Sequence, residues 1–111
     1  MVEKIVKDYL QSRLEIPVRL EEEDSLGKEY VLIEKTGSGK AEHIESATLA
    51  IQSYSTSLLK AAMLNEHVKE AMEKIIELDN VCKCELNSDY NYTDTARKKY
   101  RYQAVFDVVY Y

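Results

Sequence analysis

Apolar residues recur every three or four positions at the start of the chain, at Val2, Ile5, Val6, Tyr9, Leu10 and Leu14. Glu3, Lys4, Lys7, Asp8 and Gln11 occupy the other side. That spacing predicts an amphipathic helix over residues 1–14. Pro17 closes it, because the proline ring disfavours helical backbone at the residue before it. Residues 18–20 suggest a short strand. Glu21-Glu22-Glu23-Asp24 follows as a solvated turn or strand end, since adjacent like charges repel. Tyr30-Val31-Leu32-Ile33 is the clearest short strand, being β-branched and aromatic. Thr36-Gly37-Ser38-Gly39-Lys40 reads as a flexible hairpin loop.

Strict alternation marks residues 42–54 as a long third strand. Ala47, Leu49 and Ile51 fall on one face, and Ser46, Thr48, Ala50 and Gln52 on the other. One face is the more apolar, as in an antiparallel sheet covered on one side. Ser55-Thr56-Ser57 supplies N-cap candidates. A helix then runs from Leu58 to about Leu78. Its stripe is Leu58, Ala61, Ala62, Val68, Met72 and Ile75, widened by Leu64, Ala71 and Ile76.

Residues 81–86 form a fourth strand, the polar run 87–94 a loop, and residues 99–111 a fifth strand. In the last, Tyr100, Tyr102, Ala104, Phe106, Val108 and Tyr110 alternate with Arg101, Gln103, Val105, Asp107 and Val109. Both faces turn apolar toward its end, so it belongs inside the sheet. The order α-β-β-β-α-β-β predicts an α+β fold, two helices packed on a mainly antiparallel sheet, as a single domain over residues 1–111.

Composition narrows the function. A chain of 111 residues buries roughly 65% of its unfolded surface, enough for one core. One Pro and three Gly leave no room for a low-complexity linker. No apolar run approaches the ~20 residues that span a bilayer, so no membrane role is expected. Met1-Val2-Glu3-Lys4 does not open a signal peptide. Cys82 and Cys84 are too few and too close for a disulfide framework, which fits a reducing compartment. A net charge of −5 argues against a general or sequence-specific nucleic-acid binder.

Each catalytic or metal motif fails on spacing. Gly37-Ser38-Gly39-Lys40 lacks the earlier Gly and the following Ser or Thr of a phosphate-binding loop; Glu34 and Ala41 stand there. Cys82-x-Cys84 with His43 and His67 does not match the usual zinc spacing. In a strand the two thiols would share a face and act as small apolar groups. No nucleophile elbow and no cysteine–histidine signature occurs. The acids at 21–24 lie in one solvated run, with nothing to raise a pKa. No catalytic residue, cofactor or metal is therefore expected. Arg97-Lys98-Lys99 with Arg101 and flanking tyrosines is the one basic cluster, read first as a solvated loop and strand edge and second as a phosphate or base contact.

The tyrosines are more informative: nine, against one Phe and no Trp. Tyr combines a large ring with a polar tip, which suits interfaces. Tyr100 and Tyr102 share a strand face with core residues. Tyr90, Tyr92, Tyr110 and Tyr111 lie in a polar loop or at the chain end, where burial within one small domain is harder. With Arg97, Lys98, Gly37 and Lys40 on projecting loops they form the candidate interface. The rival is a set of scattered exposed tyrosines.

The stretch Ala47-Thr48-Leu49-Ala50-Ile51-Gln52-Ser53-Tyr54-Ser55, leading into residues 58–76, resembles the strand–helix core of small tail-completion proteins of long-tailed bacteriophages and prophages. Arg101-Tyr102-Gln103-Ala104-Val105-Phe106-Asp107-Val108 is similar to their C-terminal strand. The element order also matches, over most of the chain. The resemblance implies a tail terminator or head–tail joining protein, without enzyme activity, that closes the tail tube as a homo-oligomer, commonly a hexameric ring. Its partners would be the tail tube protein and neck or connector proteins. It would act in the bacterial cytoplasm during assembly and end in the virion tail or neck.

A ring subunit needs lateral interfaces, which edge strands and loops supply. The turn at 21–27 and the loops at 37–40 and 87–98 are the expected projections, and the acids at 21–24 would suit a wall past which DNA moves. The rival from another class is a small cytoplasmic α+β module that binds a ligand or peptide; a deep apolar pocket with convergent polar groups would mark it.

Overall fold

The structure is a computed structural model describing residues 1–111. The first helix, α1 (Val2–Arg13), buries Val2, Val6, Tyr9 and Leu10 along the expected stripe. Glu3 in its first turn and Arg13 in its last complement the helix dipole. The chain straightens at Leu14 and reaches β1 (Val18–Arg19), which runs parallel to the start of β2 (Tyr30–Ala41). Gln11 fixes that connection. Its amide donates to the Ile16 carbonyl (3.0 Å), and its oxygen accepts from the Val18 N–H (2.9 Å).

The third strand, β3 (Ile44–Ser55), leads through the N-cap Ser57 into α2 (Leu58–Glu73); the Ser57 hydroxyl accepts from the Lys60 N–H at 3.2 Å. A 3₁₀ turn, Ile75–Glu77, follows, then β4 (Val81–Asn91) and β5 (Tyr100–Tyr110). The sheet order is β1-β2-β3-β5-β4. β3 and β4 are each antiparallel to β5 and so run parallel to one another, joined across the sheet by α2. β5 fills the gap between them, which explains its apolar residues on both faces. This is an α+β fold in the expected order.

One face of the sheet carries the core. Val31 and Ile33, Ala47, Leu49 and Ile51, and Ala104, Phe106 and Val108 meet α1 and α2 in a single 18-residue cluster. Burial of each large aliphatic side chain contributes about 1.5–3 kcal/mol. α2 departs from its expected stripe. Leu58 and Ile76 are exposed, and Asn65 is buried between Ala61 and Val68. The Asn65 amide nitrogen donates to Asp89 on β4 (3.0 Å), a carboxylate that also receives Lys69 (2.9 Å), while its Oδ1 is buried without a partner.

Several features differ from the sequence expectation. α2 ends at Glu73 rather than near Leu78, the 3₁₀ turn Ile75–Glu77 taking its last turn, and β3 begins at Ile44 rather than at residue 42. Gly37 and Lys40 are not in a loop. β2 continues to Ala41, with Gly37 opposite Thr48, Gly39 opposite Ser46 and Lys40 opposite Glu45. The turn is Glu42-His43, both at positive φ (50° and 70°), a two-residue hairpin that needs no glycine-rich loop. A register shift between Lys35 and Gly37 absorbs one residue, and at Gly39 a Cβ would come within 3.1 Å of the Ser46 hydroxyl. The glycines thus serve a bulge and a close approach.

β4 also outruns its apolar stretch, to Asn91, because an edge strand exposed to water tolerates polar side chains. Finally, a bulge between Val81 and Lys83 leaves Cys82 outside the alternation. Cys82 is exposed while Cys84 packs against the core, so the two thiols do not share a face. The 12-residue strands of the β2–β3 hairpin, at ~3.3 Å per residue, set the long axis of a 44 × 24 × 24 Å molecule.

Candidate functional site: the open sheet face

The same alternation that sends Leu49 and Phe106 into the core sends Ala50, Gln52 and Tyr54 on β3, and Arg101, Gln103 and Val105 on β5, to the opposite face. Both helices lie on the core side. The open face is nevertheless ordered by a chain of polar and aromatic contacts. Tyr30 and Tyr54, paired across β2 and β3, stack with centroids 4.5 Å apart. The Arg101 guanidinium lies 5.6 Å from the Tyr54 ring centre and 4.5 Å from that of Tyr92. Its Nη1 donates to the Tyr54 hydroxyl (2.8 Å) and its Nε to the Tyr92 carbonyl (2.6 Å).

From Tyr54 the network runs on across the sheet. The Tyr54 hydroxyl donates to Gln52 (3.1 Å), Gln52 to Gln103 (2.9 Å), and Gln103 to the Tyr90 hydroxyl (2.6 Å). Tyr90 meets Tyr92 edge to face at 5.9 Å. At the other end of the network, Glu22 accepts from the Tyr30 hydroxyl (2.8 Å) and from Lys99 (3.2 Å). The Tyr30 hydroxyl and then Lys99 hold the Glu22 carboxyl below its ordinary range. Burial, with Glu22 close by, raises the Tyr30 phenol. Such a network holds its side chains in place before any partner arrives, which lowers the ordering cost of binding.

The candidate interface residues separate into groups. Tyr90 and Tyr92 come together on the open face, each more than two-fifths exposed. Arg97 and Lys98 line a cavity of about 480 Å³ at the β5 entry, beside Tyr30 and Tyr54. Gly37 and Lys40 sit on the hairpin at the opposite end of the sheet, where Glu45 pairs with both Lys40 and Tyr110. Tyr111 is 70% exposed there. Tyr110 is buried rather than exposed at the chain end: it continues the Phe106–Val108 parity into the core, and desolvation raises its phenol.

The acids at 21–24 are not one free run, since Glu22 is held by Tyr30 and Lys99 and Glu23 lies 3.6 Å from Arg19. The sequence reading missed Gln52, Tyr54 and Gln103 as site residues. Their shared parity with Arg101 was visible, but the pairing of β3 with β5 that gathers them was not.

Two sheet edges are also free. β4 has no neighbour beyond it, and β2 beyond Leu32 has none on its outer side, because β1 pairs with Val31 and Leu32 alone. The β4 edge carries Lys83 and Glu85 and two register shifts, which restrict it to a partner of matching shape. Elsewhere, His43 lies in the hairpin turn, His67 on α2 and the cysteines on β4, and no three His, Cys, Asp or Glu side chains converge as a metal site would require. No helix is long and apolar enough to cross a membrane. No protein-family model matches the chain, and no curated protein matches it.

Proposed function

We propose that the chain is a structural assembly protein of a phage or prophage, one that terminates or completes the tail tube and contributes to the head–tail junction as a homo-oligomeric ring. The observation that carries this reading is the open face, a pre-ordered network from Glu22 to Tyr90 bounded by two unlike free edges. Unlike edges make a head-to-tail contact, in which the outer edge of β2 in one subunit meets β4 of the next. A contact of that kind closes a ring when its rotation is right, whereas a face that meets itself stops at a dimer. The projecting β2–β3 hairpin and the exposed Tyr90–Tyr92 pair supply further contact surface for tail tube and neck proteins. In this role the chain uses no catalysis and no cofactor; it acts in the bacterial cytoplasm during assembly and ends in the virion tail or neck.

Negative-stain microscopy of the purified protein, alone and mixed with tail tubes, tests it. Rings, or tubes capped at one end, are the expected images; separate small particles beside uncapped tubes would overturn it. Tube, tape-measure and connector genes on either side of this one are expected as well. The second reading, a small ligand-binding module, is favoured by one observation, the cavity of about 480 Å³ at the β5 entry.

A further inference from the structure

Where β5 begins, cations gather around one cavity. The chain carries a net charge of −5, yet the cavity beside Tyr30 and Tyr54 is lined by Lys28, Arg97, Lys98 and Lys99 and by no Asp or Glu. Its remaining polar wall includes the hydroxyl residues Ser55 and Thr56. Three segments distant in sequence converge there: the turn before β2, the end of β3 and the connection into β5. That connection is closed on itself. Asp94 and Lys99 exchange backbone hydrogen bonds at 3.0 and 3.1 Å, and the Arg97 N–H donates to the Asp94 carboxylate at 3.2 Å. The basic triplet is therefore presented by a fixed turn.

The acids nearby are engaged at the rim. Glu22 takes Lys99 and Tyr30, Asp94 lies 3.9 Å from Arg97, and Glu29 accepts from the Ser55 hydroxyl at 3.4 Å. Lys28 and Lys98 enter no ion pair.

We propose that this cavity binds the phosphate group of a small phosphorylated ligand, a mononucleotide or other phosphomonoester, with inorganic phosphate as its minimal form. A dianion matches an excess of cations better than a single carboxylate does. A planar guanidinium such as that of Arg97 bonds phosphate oxygens in pairs, and the Thr56 hydroxyl, which has no other partner, donates to a third. The volume lies in the range of small-molecule sites. A DNA duplex fits less well, because it is held by a stripe of cations along the backbone, and Glu22, Glu29 and Asp94 ring this cavity instead. The inference rests on the cavity and holds whether or not the chain joins a tail.

Isothermal titration at low salt, first with inorganic phosphate, then with AMP, then with a short DNA duplex, provides the test. Saturable binding of phosphate is expected, with amide shifts in NMR confined to Lys28, Ser55, Thr56 and residues 97–99. The double variant Arg97→Ala/Lys98→Ala, at exposed positions, is expected to fold normally and to bind at least about tenfold more weakly, as the loss of charge-assisted hydrogen bonds requires. Lys98→Arg is expected to bind as the parent does. AMP binding more tightly than phosphate identifies a nucleotide; phosphate binding with AMP excluded identifies the free anion. No binding of either, equal binding by the double variant, or tighter binding of the duplex than of AMP would overturn the proposal.

Discussion

β3 and β5 each show two chemically different faces. On one, Leu49, Ile51, Phe106 and Val108 pack under two helices with almost no exposure. On the other, one residue away along the same strands, Tyr54, Gln52, Arg101 and Gln103 form a hydrogen-bonded network that no helix covers. The backbone ladder is common to both, so the difference is one of side chains. The covered face makes the fold. The open face is ordered by side-chain hydrogen bonds and aromatic contacts instead.

Substitutions on the two faces should therefore fail in different ways. The largest effect belongs to the core. Leu49→Ala, at a fully buried position, should lose about 3–5 kcal/mol of stability in urea unfolding, and any assembly should fail with the fold. Arg101→Ala removes two hydrogen bonds and two cation–π contacts. It should cost only about 1–2 kcal/mol, given the modest net value of exposed polar contacts, while weakening self-association or tube capping by at least about tenfold, since Arg and Tyr anchors dominate interfaces. Equal effects of the two substitutions on stability would erase the distinction between the faces. Tyr90→Ala with Tyr92→Ala should lower stability by less than about 1 kcal/mol each, as exposed positions do, and still weaken association in sedimentation.

Two smaller effects sharpen the comparison at single residues. Cys84, on the core side, has its thiol pushed up to about 11 by burial and then by Asp107 and Glu85, whereas Cys82 is exposed on its bulge. Iodoacetamide at pH 8 should label Cys82 well before Cys84, as mass spectrometry of the digest would show. Equal labelling would mean that the bulge does not separate them. Glu22 gives the smallest effect. Its carboxyl is held below the ordinary 4.5 by Tyr30 and Lys99, so its contribution is present above that pH and lost as pH falls through the folded-state value. Stability measured between pH 6 and pH 3 should fall more steeply for the parent than for Glu22→Gln; parallel curves would remove Glu22 from the network.

Much of the covered face was legible in the sequence, because burial imposes period. The α1 stripe, the Leu49 and Ile51 side of β3, and the Phe106 and Val108 side of β5 all follow from alternation or from three- and four-residue spacing. What escaped was whatever a neighbouring strand decides. The glycines at 37 and 39 read as a loop, yet pairing with Thr48 and Ser46 holds them in β2. Polar residues 87–91 read as a loop, yet β5 supplies their backbone partners. Tyr110 reads as a chain-end surface residue by position, yet its parity with Phe106 and Val108 carries it into the core. The open face was half legible. Tyr90, Tyr92 and Arg101 drew notice by type, but Tyr54, Gln52 and Gln103 join them through a sheet order, β3-β5-β4, that no local pattern encodes.

Sedimentation velocity over a wide concentration range, with the protein alone and then mixed with the proteins encoded by neighbouring genes, tests most directly whether the open face and free edges are contact surfaces. A discrete ring-sized species, formed alone or on mixing and weakened by Arg101→Ala, is the expected result. A strict monomer at every concentration and in every mixture would contradict it.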